Sequence, residues 1–326
     1  MSELTFRPFL LTVLLAVSGS AGAEPRVFAP VFLKLGALNE VYIWDETSVG
    51  PFTVEVFRPG SEKPLAVSQG FAVDRPLSVL GLGNRPLKWS AAFVPLDALE
   101  RPGPVKLRFQ GTGKLLAEAA SEIHPRIYAS EVIPLDKTMS ELRSKPNARK
   151  DKEALQIWKV YQKFEPKFPW AGGRFLLPVP PVFPTTAQFG DIRRYRYSDG
   201  TTSEDYHRGT DFAVPPGTPV SASATGTVAL VANRMLTGIT VVIEHAPGLY
   251  SIYYHLSKAL VKKGSKLEAG DIIALSGATG LATGPHLHWE IRIDGISVDS
   301  LDFVTDGLLD TGIVSAVISS IERPIH

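Results

Sequence analysis

The chain has 326 residues, 44% of them hydrophobic and 21% charged, which gives room for about two domains and excludes a mainly disordered polymer. The 34 Lys and Arg against 33 Asp and Glu leave a net charge of +1, which argues against nucleic-acid binding through bulk charge. There is no cysteine, and this excludes disulfides, thiolate nucleophiles, Cys-based zinc sites and a lipidated N-terminal cysteine.

Residues 1–23 read as a secretory signal peptide. Arg7 is the positive start, Phe9 to Val17 is an apolar run too short for a bilayer, and Ala21-Gly22-Ala23 fits the small-residue cleavage pattern. An uncleaved N-terminal anchor is the alternative. Cleavage after Ala23 predicts a mature chain that starts at Glu24 and works in the periplasm or outside the cell.

Residues 24–120 carry short apolar runs separated by Pro and Gly. Phe52 to Phe57 and Val105 to Phe109 alternate with period two, as half-buried strands do. The expectation is a β-sandwich-like domain without a chemical motif, with His124 in a loop beyond it. Residues 121–172 read as a connector with one helix. Ala154, Ile157, Trp158, Tyr161 and Phe164 recur at helical spacing over Asp151–Phe164, and Pro166 and Pro169 end the helix. The nine basic against four acidic residues from Lys137 to Lys167 read as a solvated helix face rather than a polymer-binding patch.

From residue 173 to 305 the signal is dense β. Val220 to Val231, Ile239 to Glu244, Tyr250 to Tyr254, Ile272 to Leu275 and His286 to Ile293 are strand-like, with glycines between them. Residues 306–326 form a tail, with a short helix expected over 307–321. The fold class is therefore mainly β.

Five of the seven histidines lie between 207 and 288. On a strand from His286, alternation puts His286, His288, Glu290 and Arg292 on one face and Leu287, Trp289, Ile291 and Ile293 on the other. One face suits a core, and the other presents two imidazoles. His207 and Asp211, with one of the two HxH histidines, make a His2Asp set of the type that suits zinc. Three protein ligands leave a fourth position for water, as in catalytic zinc sites. His245 follows the strand Val241 to Glu244 and precedes Ala246-Pro247-Gly248, so it is expected at a turn or strand end with no direct role. His326 is the last residue and carries no argument.

His207-x-x-x-Asp211, Tyr254-His255-Leu256-Ser257 and Thr283-Gly284-Pro285-His286-Leu287-His288-Trp289-Glu290, in this order, resemble the lysostaphin-type (LytM-type) zinc metallopeptidases. The likeness covers about residues 175–303, and the upstream β-domain is similar to that of exported members. The resemblance implies an antiparallel β core with a long groove. It implies one Zn²⁺ per chain on His207, Asp211 and His288. It makes His286 the general base beside the metal, and His255 a second histidine that orients water or supports the oxyanion.

The implied substrates are peptide cross-links of peptidoglycan, with D-Ala–diamino acid links preferred over glycine bridges. No nucleic acid is implied, and divisome or wall-remodelling partners stay unspecified. Two other classes fit parts of the pattern. One is a non-catalytic wall-binding or amidase-activating protein on the same fold. The other is a structural zinc protein with His286 or His255 as a fourth ligand. The N-terminal domain can bind wall, bind a partner or cover the groove.

Overall fold

A computed structural model describes residues 26–45, 51–72, 88–164 and 174–305. The signal peptide, the two prolines that end the connector helix and the C-terminal helix lie outside the described residues.

The N-terminal region is a two-sheet sandwich. One sheet orders Arg26–Phe28, Glu40–Asp45, Lys88–Phe93 and Phe71–Ala72. The other orders Phe32–Lys34, Lys114–His124, Gly103–Gly111, Phe52–Phe57 and Ala66–Gln69. The period-two pattern sets the inward face. Val54, Val56, Val105, Leu107 and Phe109 are buried against Leu33, Val41 and Ile43, while Lys106 stays exposed. His124 does not sit in a loop. It ends the long strand Lys114–His124, and its ring lies over Phe32 with centroids 4.0 Å apart.

The connector differs from the expectation of one helix. It contains the strand Ser130–Pro134 and two helices, Lys137–Ser144 and Ala148–Tyr161. Asp136 caps the first by accepting from Met139 N at 2.8 Å, and Asn147 caps the second by accepting from Arg149 N at 2.8 Å. Lys145 is extended, as a residue before proline must be, and this separates the two. The first helix has only Met139 and Leu142 as large apolar residues, so it leaves almost no periodic trace. The strand pairs in parallel with Ile192–Arg196, which pairs antiparallel with Thr202–Tyr206.

The main sheet orders Thr185–Ala187, Thr210–Phe212, Leu287–Ile293, Leu249–Leu256, Gly238–Ala246, Gly226–Arg234 and Lys266–Leu267, with Ile296–Val298 added beside Leu287–Ile293. The expected strand from Val220 to Val231 is two strands. Pro219–Ser221 pairs with Ile272–Leu275 in a small three-stranded sheet, and the chain crosses over 222–225 to start Gly226–Arg234. A Cβ at Gly226 would lie 2.4 Å from Glu244 O, so this crossing needs glycine. Asp294 and Gly295, with φ of 49° and 84°, turn the Leu287–Ile293 strand into Ile296–Val298 as a two-residue hairpin of the I′ kind.

Both faces of the main sheet are covered. Leu287, Trp289, Ile291 and Ile293 enter one apolar cluster with Phe175, Phe212 and Phe303, and that cluster extends to Phe28, Phe71 and Phe93 of the sandwich. On the other face, Ile157 and Tyr161 of the second helix pack on Leu230, Val242, Tyr250, Ile252 and Tyr254. The Tyr250 hydroxyl donates to the carbonyl of Val160 at 3.0 Å, which fastens the end of that helix to the sheet.

Candidate metal centre

Strand register brings the predicted ligands together. Asp211 lies opposite His288, and His288 lies opposite Tyr254 on its other side. His207 arrives through the short turn 207–209, which runs against the His288 strand. A Cβ at Gly209 would stand 2.3 Å from Trp289 O, so only glycine lets the two backbones approach this closely.

His207, Asp211 and His288 are all buried, and each turns a ligand atom to a common point. These atoms lie within 4.8 Å of one another. His288 Nδ1 is 2.7 Å from Asp211 Oδ1 and 2.9 Å from His207 Nε2. The remaining polar atoms are already held. His207 Nδ1 donates to Gln188 O at 2.8 Å, which leaves Nε2 with its lone pair toward the centre. Asp211 Oδ2 accepts from Arg193 Nη2 at 2.8 Å. His288 Nε2 donates to Glu290 Oε1 at 3.0 Å, and Glu290 Oε2 accepts from Arg292 Nε at 2.7 Å. This is the outer support that aims ligating imidazoles and carboxylates.

The electrostatics follow from these contacts. Burial opposes charge on Asp211, but His288 and His207 outweigh it and hold the carboxyl well below its usual range. Burial also opposes charge on His288, yet Asp211 and Glu290 on its two sides raise it to about 9. Burial lowers His207.

His286 and His255 stand beside this centre with rings 4.6 Å apart. His286 Nε2 is 3.9 Å from Asp211 Oδ1, and its Nδ1 donates to Gly284 O at 2.8 Å. His255 Nδ1 donates to Thr279 O at 2.8 Å. His255 has φ of 58°, a left-handed conformation costly for a side-chain-bearing residue and typical of functional positions. Burial first, and the adjacent His286 second, lower His255 to about 4.

His245 sits at the strand end rather than in the turn. It lies inside the strand Gly238–Ala246, fully buried, with Nδ1 bonded to Thr225 O at 2.9 Å and Nε2 to Ser251 Oγ at 2.7 Å. It belongs to the core, apart from the cluster of His207, Asp211 and His288. Arg193 was not legible as a neighbour of Asp211, since strand pairing delivers it from a distant segment. Glu290 and Arg292 were visible on the shared face of the HxH strand, but their support of His288 was not.

The centre opens into a groove of about 370 Å³. His207, His255, His288 and Tyr254 line it. Arg193, Tyr195 and Tyr206 line it as well, as do Ile157, Trp158 and Tyr161 of the connector helix.

The domain is mainly β, and a buried His-Asp-His cluster opens into its groove. Residues 205–300 match peptidase family M23. Peptidoglycan DD-endopeptidase ShyA of Vibrio cholerae is 50% identical over 95 residues, 29% of this chain and 22% of that protein. DD-carboxypeptidase/endopeptidase Mpg of Neisseria meningitidis is 43% identical over 93 residues, 28% of this chain and 21% of that protein. The matches thus span about a fifth of these curated relatives. A crystal structure from Pseudomonas aeruginosa, described as a candidate peptidase M23, aligns with a TM-score of 0.54 at 25% identity, covering 82% of this chain and 93% of that one.

Proposed function

We propose that this protein is an exported zinc-dependent endopeptidase that hydrolyses peptide cross-links of peptidoglycan. The observation that carries the reading is the convergence of His207, Asp211 and His288 on one point, with two further imidazoles beside it. The donor set fits zinc: two imidazoles and one carboxylate, all buried, each with its other polar atom already bonded. His207 Nε2, Asp211 Oδ1 and His288 Nδ1 would hold the ion. Bound there, it would supply Lewis acidity and make water acidic enough to ionise near pH 7.

The two other histidines take different tasks. The bond from His286 Nδ1 to Gly284 O leaves Nε2 with a free lone pair facing the centre. That nitrogen takes the proton of the attacking water and returns it to the leaving amine. His255 is held in the same tautomer by Thr279 O, so its free nitrogen is also an acceptor. It can orient water, but it donates to an oxyanion only once protonated, which its burial opposes. Water orientation is therefore the role proposed for His255.

The names of the relatives support peptidoglycan as substrate, and the D-Ala–diamino acid bond is the one proposed as cleaved. The proposal includes export through the leader at 1–23. It also includes the division of the chain into the sandwich of 24–120, the connector of 121–172, the peptidase domain of 173–305 and the tail of 306–326. Digestion of purified sacculi with zinc-loaded protein, read by mass spectrometry of the muropeptides, tests the reading. Loss of cross-linked dimers and gain of monomers is the expected result. Intact dimers at stoichiometric zinc would instead support a wall-binding or amidase-activating protein.

A further inference from the structure

We infer that Arg234 forms a carboxylate-binding subsite of the groove and selects peptides with a free carboxylate near the scissile link. The inference rests on the peptidase reading above and adds what that site recognises.

Five arginines line the groove: Arg143, Arg193, Arg208, Arg234 and Arg292. Four of them have carboxylate partners within the chain. Arg143 and Arg208 pair with Asp205, Arg193 with Asp211 and Glu131, and Arg292 with Glu290. Arg234 has no ion pair among the described residues. Its Nη1 donates a long bond of 3.3 Å to Thr237 Oγ1, its side chain also hydrogen-bonds the Tyr254 hydroxyl, and its Nε is buried with no acceptor. The guanidinium thus has only hydroxyl acceptors and no carboxylate among the described residues. Its planar donors match a carboxylate.

Position gives the charge its meaning. Arg234 ends the strand Gly226–Arg234 and lies beside Tyr254. The Tyr254 ring stacks on His288, with centroids 5.2 Å apart and planes 16° apart. One aromatic ring therefore separates the unpaired cation from the metal centre. An extended peptide rises about 3.3 Å per residue, so a peptide laid over His288 brings a group one or two residues away within reach of Arg234. Cross-linked wall peptides carry free carboxylates at that range, on the diamino acid and at the peptide terminus. A carboxylate completes the guanidinium; a neutral amide offers it a weaker acceptor and a competing donor.

The test uses the full chain loaded with zinc, in a His286→Ala background that stops cleavage, and calorimetry with three cross-linked dimers. One dimer has free acids, one is amidated at the diamino acid, and one is amidated at the terminus. The free acid is expected to bind about 10-fold to 100-fold more tightly than one of the amides, and the weaker amide identifies the carboxylate held. Arg234→Gln should bind all three alike, and Arg234→Lys should recover part of the preference. Equal binding of all three dimers, absence of binding, or a preference that survives in Arg234→Gln overturns the subsite. Turnover of the chain with His286 intact is read separately. Preference without cleavage removes the peptidase reading and leaves the subsite; cleavage without preference does the reverse.

Discussion

His288 and Glu290, two residues apart on one strand, are joined by a 3.0 Å bond from Nε2 to Oε1, and Arg292 clamps the same carboxylate from the next position on that face. Three successive outward positions thus form one line: imidazole, carboxylate, guanidinium. The carboxylate sets the tautomer of His288 and turns Nδ1 to the centre. Glu290→Gln keeps the shape but removes the charge, so zinc affinity should fall about 10-fold to 100-fold. Competition with a chelator reads this directly, and unchanged affinity would remove Glu290 from the support of His288.

The two histidines of the HxH pair should separate by metal content. His288→Ala leaves two protein ligands, so zinc and activity should vanish together. His286→Ala should keep near-stoichiometric zinc while turnover drops about 10²-fold to 10⁴-fold. Plasma emission beside turnover on a cross-linked muropeptide measures both. Zinc lost from His286→Ala but kept in His288→Ala would reverse the assignment.

Metal uptake should release a proton. In the metal-free chain His288 titrates near 9, and Asp211 is ionised. At pH 7 the imidazolium of His288 must give up its Nδ1 proton before that nitrogen can bind an ion. About one proton per zinc is expected, so affinity rises with pH and levels off above about 9. Calorimetry in buffers of different ionisation enthalpy counts the proton; a count of zero at pH 7 would contradict the arrangement.

Gly209→Ala should damage the centre without touching a ligand. The new methyl would press on Trp289 O and push the His207 turn away from the strand of His288. Zinc affinity should fall by at least about 10-fold, because ligand geometry tolerates little displacement. The same titration in Gly209→Ser gives a second reading of the same close approach.

His245 gives the fold a dependence on pH that is independent of the metal. Burial, only partly offset by its bond to Thr225 O, lowers it from an ordinary 6.5 to about 4. Between these values the unfolded chain binds a proton that the folded chain does not, so stability rises with pH across this window and is lost as pH falls through it. The full effect is roughly 3 kcal/mol. His245→Gln should flatten melting temperature between pH 4.5 and 6.5, and an unchanged slope would assign the dependence to other groups.

The candidate site was legible because its chemistry is local in sequence. The HxH alternation put two imidazoles on one face and an apolar row on the other, and the strand Leu287–Ile293 follows that pattern. The helix Lys137–Ser144 was hidden because two apolar residues make no period. The break at 222–225 was hidden because alanines and serines suit a continuous strand as well as a crossing. The place of His245 at a strand end was legible from its Pro-Gly neighbours, but its burial was not. Arg193 and the unpaired state of Arg234 are products of long-range pairing that no local pattern carries.

The connector helix has a consequence for how this protein can be cut and rebuilt. Ile157 and Tyr161 cover one face of the sheet, and Arg149 and Glu153 bond to the backbone of Asn233 and Met235 at its edge. A fragment trimmed at the family match would lay bare Val242, Tyr250 and Ile252 as an oily strip and would lose one bank of the groove. Trimming there should yield aggregates, while a fragment begun near residue 130 keeps the strip dry. Recombinant exchange with other peptidases should therefore carry the helix along as part of the cargo.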